Sequence, residues 1–211
     1  MKNSSYARVT AAVVAIWFIF SLSASALHVF QGDPSRPGLA VGLAALIPVL
    51  LFLLFFTASS GFRKFALALN PRILTLAHTW RVGGISFLAL NAFGILPGIF
   101  AFPAGLGDFL IGITAPLMAW WYAQPEHRNR FLLWQALGIL DLVTAVTLGT
   151  TAGLITHGAA TSAMTVLPLS MVPTFFVPLL LMLHIICIAQ AKRWRQGRHL
   201  PAGETMATSA A

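Results

Sequence analysis

The stretch Gly38-Leu-Ala-Val-Gly-Leu-Ala-Ala-Leu-Ile-Pro-Val-Leu-Leu-Phe-Leu-Leu-Phe-Phe-Thr57 decides the fold, because it contains no charged side chain and is apolar on every face of a helix. At about 1.5 Å per residue such a helix crosses a hydrocarbon core of about 30 Å. Five further runs have the same character: Val9–Phe30, Ile73–Pro97, Leu106–Gln124, Phe131–Gly153 and Val166–Gln190. The connections between them are short, so residues 1–200 read as one all-α integral membrane bundle of six transmembrane helices. The polar, Ala/Thr-rich stretch 201–211 reads as a disordered tail. Composition agrees: 58% of the 211 residues are apolar, 9% are charged, and the mean hydropathy is +0.83. Soluble domains carry about a quarter charged residues.

A net charge of +8 raises the possibility of a nucleic-acid partner, but its distribution along the chain argues for topology instead. With a cytoplasmic N-terminus, that face collects Lys2, Arg8, Arg63, Lys64, Arg72, Arg128, Arg130, Lys192, Arg193, Arg195 and Arg198, and the opposite face has only Arg36. Short loops with this asymmetry place both termini in the cytoplasm. The basic run Lys192, Arg193, Arg195 and Arg198 is suited to anionic lipid headgroups; nucleic acid is not expected. Trp80, Trp120, Trp121, Trp134 and Trp194 fall towards the cytoplasmic helix ends, the level an amphipathic ring prefers. Cys187, the single cysteine, reads as a packing residue of the last span. The first span has a second reading, since Met1–Arg8, the apolar Val9–Phe20 and Ala24-Ser-Ala26 also compose a signal peptide. The apolar stretch continues through Leu27–Phe30, which favours a retained helix.

Two segments contain helix breakers. Leu96-Pro-Gly-Ile-Phe-Ala-Phe-Pro-Ala-Gly-Leu-Gly-Asp108 holds two prolines and three glycines, so it is expected to be an irregular connection, either a tight turn or a re-entrant, cavity-lining loop. Pro168, Pro173 and Pro178 should bend the outer half of the last span and leave carbonyl acceptors exposed. Asn70-Pro71 suits a helix start.

The ionisable residues inside the spans are the candidates for function, because charge at the bilayer centre costs from about 2.5 kcal/mol upward. Counted from the cytoplasmic helix ends, His78, Arg81, Asp141 and His184 fall in one layer. Asp141, Ala145, Gly149 and Gly153 share a stripe on which a neighbouring helix can approach closely. A desolvated carboxylate stays ionised beside an opposite charge, so Arg81 is expected to pair with Asp141, with His184 or His78 as a hydrogen-bonding neighbour. Alternatively, Arg81 snorkels to the headgroups. A second, outer layer holds His28, Asn91 and Asp108, which also read as ordinary helix-end residues. The seven-residue echo between Asp108–Thr114 and Asp141–Thr147 hints at an inverted repeat.

Three readings of function follow. One is a carrier that binds a small molecule or ion at the polar layer, with Asp141 as the switchable carboxylate. Another is a redox protein in which His78 and His184 ligate haem. The third is an accessory or scaffolding subunit, working with a second copy or a partner, because six short helices leave little room for a complete path. No HExxH, GxSxG, Walker or dinucleotide pattern occurs, so a soluble-type enzyme active site and a metal centre are not expected. Arg81-Val-Gly-Gly84, Leu96–Asp108, Gly138-Ile-Leu-Asp141-Leu142 and Pro168–His184 together resemble small, uncharacterised, polytopic bacterial inner-membrane proteins. That resemblance implies a location and no activity.

Overall fold

The computed structural model describes residues 2–31, 38–155 and 159–194; Arg36, the basic residues from Arg195 on and the stretch 201–211 lie outside them. Among the described residues there is no strand, and six helices are long and apolar enough to cross a membrane. The first span is α1 (Lys2–Ala26) and the second α2 (Leu39–Ala58), followed by the short α3 (Ser60–Leu67). The third comprises α4 (Pro71–Leu76), a 3-10 stretch (Ala77–Ile85) and α5 (Ser86–Ala92). The fourth is α6 (Gly98–Leu117) with a π-helical end (Met118–Tyr122), the fifth α7 (Arg128–Ile155), and the sixth a π turn (Val172–Phe176) leading into α8 (Val177–Ala191).

Local chemistry explains the helix ends. Asn70 caps α4, its side chain accepting from the Arg72 amide at 2.9 Å, with Pro71 in the first turn where no amide donor is needed. Arg63 donates to the Thr57 carbonyl at 3.0 Å and Arg128 to the Ala191 carbonyl at 2.9 Å. The buried Gln190 side chain donates to the Leu69 carbonyl at 2.7 Å. These bonds satisfy backbone acceptors that helix termini leave open. Threonines on the outer faces, Thr57, Thr147 and Thr150, return their hydroxyl protons to carbonyls one turn earlier. That removes their polarity from an apolar surface.

Three sequence expectations are corrected. The third span is not one regular helix to Pro97: it tightens into 3-10 geometry at its middle and stops at Ala92. There Gly94 takes φ +70 and the Asn91 amide holds the turn by donating to the Leu96 carbonyl at 2.8 Å. The fourth helix begins at Gly98 instead of Leu106, so most of the Leu96–Asp108 stretch is helical. Pro97 is its cap, and Pro103 lies in its second turn, where it removes one backbone bond. In the last span the carbonyl that Pro178 frees, that of Thr174, is not exposed; Ser21 of α1 donates to it at 3.4 Å. Trp17 and Phe18 close over the same place against Phe175, at 4.8 and 5.1 Å between ring centroids. A neighbouring helix thus supplies the partner that the proline removed.

The 3-10 stretch is where the bundle is tightest. A Cβ on Gly112 of α6 would collide with the Val82 amide, and one on Gly105 would reach within 3.0 Å of the Gly84 carbonyl. Small residues let two backbones meet in this way, and the narrower 3-10 coil brings them closer. Because α6 starts early, Asp108 lies about 15 Å along that helix from Gly98, level with the 3-10 stretch.

Candidate functional site

Arg81, in the 3-10 stretch, holds two carboxylates. Its Nε donates to Asp108 of α6 at 2.6 Å, and its Nη2 donates to Asp141 of α7. The remaining nitrogen, Nη1, contacts the Gly138 carbonyl at 3.4 Å and His184 Nε2 of α8 at 3.2 Å. The Arg81 side chain is 1% exposed, against 15% for Asp108 and 14% for Asp141. Arg81 does not reach towards the headgroups; every nitrogen of its guanidinium is engaged inside the bundle.

The hydrogen bonds fix donor and acceptor roles beyond the ion cluster. Thr75 donates its hydroxyl to the Pro71 carbonyl at 2.8 Å and therefore accepts from Gln135 Nε2, at 3.5 Å. Gln135 Oε1 then faces His184 Nδ1 at 2.5 Å, and an amide oxygen only accepts, so Nδ1 carries the imidazole proton. The opposite nitrogen, Nε2, accepts from Arg81, which is the arrangement of a neutral ring. Thus a chain of polar groups on α4, α7 and α8 holds His184, and His184 helps hold the guanidinium.

Glycines make the space for these side chains. A Cβ on Gly107 would strike the Asp141 carboxylate, one on Gly84 would strike the Asp108 side chain, and one on Gly138 would strike the His184 ring. A glycine inside a helix costs about 1 kcal/mol relative to alanine, and here the missing methyl group is replaced by a functional group from another span.

Two cavities approach the cluster. One, of about 670 Å³, is bounded by α2, α6, α7 and the turn before α8. The other, of about 910 Å³, is bounded by α1, the 3-10 stretch and α8. Asp108, Phe87, Leu142, Val172 and Val177 line both, forming the wall between them. Val172 opens the π turn, so an irregular segment contributes to that wall; such turns are frequent at functional sites.

The candidate residues therefore sort differently from the two layers read in the sequence. Arg81, Asp141, His184 and His78 do lie together, but Asp108 is corrected from the outer layer into this one, for the reason given by the start of α6. His28 remains apart, exposed after α1 with φ 59, and Asn91 holds the turn beyond α5. His78 stacks on His184 at 3.8 Å with the planes 25° apart, and neither of its ring nitrogens has a hydrogen-bond partner. Face-to-face rings direct their in-plane lone pairs past each other, and no porphyrin fits between them, so this geometry does not suit bis-histidine haem ligation. Trp134 is also corrected: it is buried, its indole donates to Thr114 at 2.9 Å, and its ring lies against both histidines.

Sequence reading missed Gln135, Thr75 and the glycines at 84, 107, 112 and 138. Gln135 had a signal, an amide inside an apolar span; the glycines had a weaker one, their interior helical positions. No curated protein and no solved structure matches the chain. Residues 37–191, from the approach to α2 through the end of α8, match a domain of unknown function, DUF8737, and the chain belongs to that family.

Proposed function

We propose that the chain is a multi-pass protein of the bacterial inner membrane that binds a small positive species, a proton or a cation, at the Arg81, Asp108 and Asp141 centre and carries it between the two cavities. The observation behind this reading is the charge count. One guanidinium faces two carboxylates, His184 accepts from Arg81 as a neutral ring, and an unbalanced charge away from water is costly. One further positive charge balances the cluster. Arg81 is committed to the two carboxylates and His184; its part is to position the carboxylates, and Asp108 and Asp141 alternate as acceptors. The scaffolding reading accounts for the ion cluster but gives no reason for Asp108 to line cavities on two sides.

The test is infrared difference spectroscopy of the protein in lipid, comparing acidic and alkaline buffer. The chain has only five acidic residues, so its carboxyl signals are few. A protonated-carboxyl stretching band is expected to rise on the acid side and to be lost or displaced in Asp108→Asn or in Asp141→Asn. A spectrum without the band, or a band that survives in both variants, overturns the proposal.

A further inference from the structure

The smaller cavity has the chemistry of a ligand site, and its walls indicate the ligand class. Its volume of about 670 Å³ is within the range of sites for small organic molecules, about 300–1,000 Å³. Its lining is mostly aliphatic and aromatic, including Phe87, Phe100, Leu142, Val146 and Met164, and among the described residues that line it Asp108 alone carries a charge. Asp108 Oδ1 accepts from Arg81, while among the described residues no hydrogen bond reaches Oδ2. The larger cavity differs, because Arg81 lines it beside Asp108 and the guanidinium repels a second cation there. From the smaller cavity a ligand meets the carboxylate with the guanidinium behind it.

We infer that this cavity binds an organic ammonium ion with an apolar body, its nitrogen paired with Asp108 and its hydrocarbon part against Phe87, Phe100 and the aliphatic residues of α7. This rests on the proposed cation reading of the cluster and names the class of cation. Three physical requirements are met together. The ammonium group supplies the one positive charge the cluster lacks. The apolar body removes hydrocarbon from water at roughly 25 cal/mol per Å². Phe87 and Phe100 line the same cavity, and an aromatic ring attracts a cation that comes within about 6 Å of its face. A small inorganic cation uses only the first of these and would leave an apolar space of this volume unexplained. Since Asp108 also lines the wall between the cavities, an ammonium ion there competes with a proton for the same carboxylate. Binding therefore displaces a proton from the cluster, which couples the two species without any added group.

The experiment uses the full-length protein in mild detergent and three probes of one shape: benzylammonium, benzyl alcohol and benzoate, measured by isothermal titration calorimetry. Benzylammonium is expected to bind saturably and at least tenfold more tightly than the other two. Asp108→Asn should weaken it at least tenfold. Gly42→Phe provides an independent test, because Gly42 lines the cavity and a Cβ there meets nothing within 4 Å. That variant is expected to fold, to lose benzylammonium binding by the same factor, and to keep the carboxyl infrared band. Equal affinity for benzylammonium and benzyl alcohol, or unchanged benzylammonium binding in Gly42→Phe, overturns the ammonium site. If either occurs while the wild-type infrared band is present, the proton reading of the cluster stands and only the ligand class fails; if the band itself is missing, the underlying reading fails.

Discussion

Arg81 makes its full set of contacts inside the bundle, and the consequence is an asymmetry between removing one charge and removing all of them. Arg81→Leu leaves Asp108 and Asp141 facing each other without a counter-ion, and breaking a buried pair from one side costs about 3–5 kcal/mol. Thermal unfolding in detergent should show a large drop in midpoint. The triple variant Arg81→Leu, Asp108→Asn, Asp141→Asn should recover most of that loss, since neutral amides need no balancing cation. A single variant as stable as wild type would mean that the three groups do not depend on one another. Gly138 offers a separate test at the same scale. Gly138→Val would drive a side chain into the His184 ring, and overpacking of this kind costs about 1–3 kcal/mol. Unchanged stability would show that the His184 ring has room to move.

Among the elements, the last span depends most on a neighbour. Pro178 removes the donor for the Thr174 carbonyl, and Ser21 on α1 takes its place. Ser21→Ala should lower stability by about 1 kcal/mol, the usual value of a hydrogen bond between membrane helices. The same change should weaken the docking of α1, measured as faster hydrogen exchange at the amides of the Val172–Phe176 turn. An exchange pattern identical to wild type would mean that the π turn holds without α1. The third span shows the opposite dependence. Its 3-10 stretch faces Gly105 and Gly112 of α6, so its irregularity comes with close backbone approach and no missing donor.

At the scale of the whole molecule the asymmetry of Lys and Arg predicts the orientation. The turn between α6 and α7 contains the exposed Glu126 next to Arg128 and Arg130, and it should face the cytoplasm. Cys187 is fully buried beside Thr75 and should give no background in thiol labelling. Glu126→Cys is therefore expected to react with a membrane-impermeant maleimide only after the cells are opened. Labelling in intact cells would invert the topology.

The sequence by itself determined the number of apolar spans, the Asn70-Pro71 helix start and the grouping of Arg81, Asp141, His78 and His184. Each of those follows from local quantities: apolar length, a capping residue, and rise per residue. Only the tertiary structure decided that Asp108 joins Arg81, that Gln135 and Thr75 hold His184, and that glycines at 84, 107, 112 and 138 make room. The physical reason is that a span apolar on all sides has no periodicity to reveal which face meets protein and which meets lipid. Asp108 shows the limit best. Its depth depended on where α6 begins, and prolines at 97 and 103 conceal that start from any local rule because one caps the helix and the other is tolerated near its end.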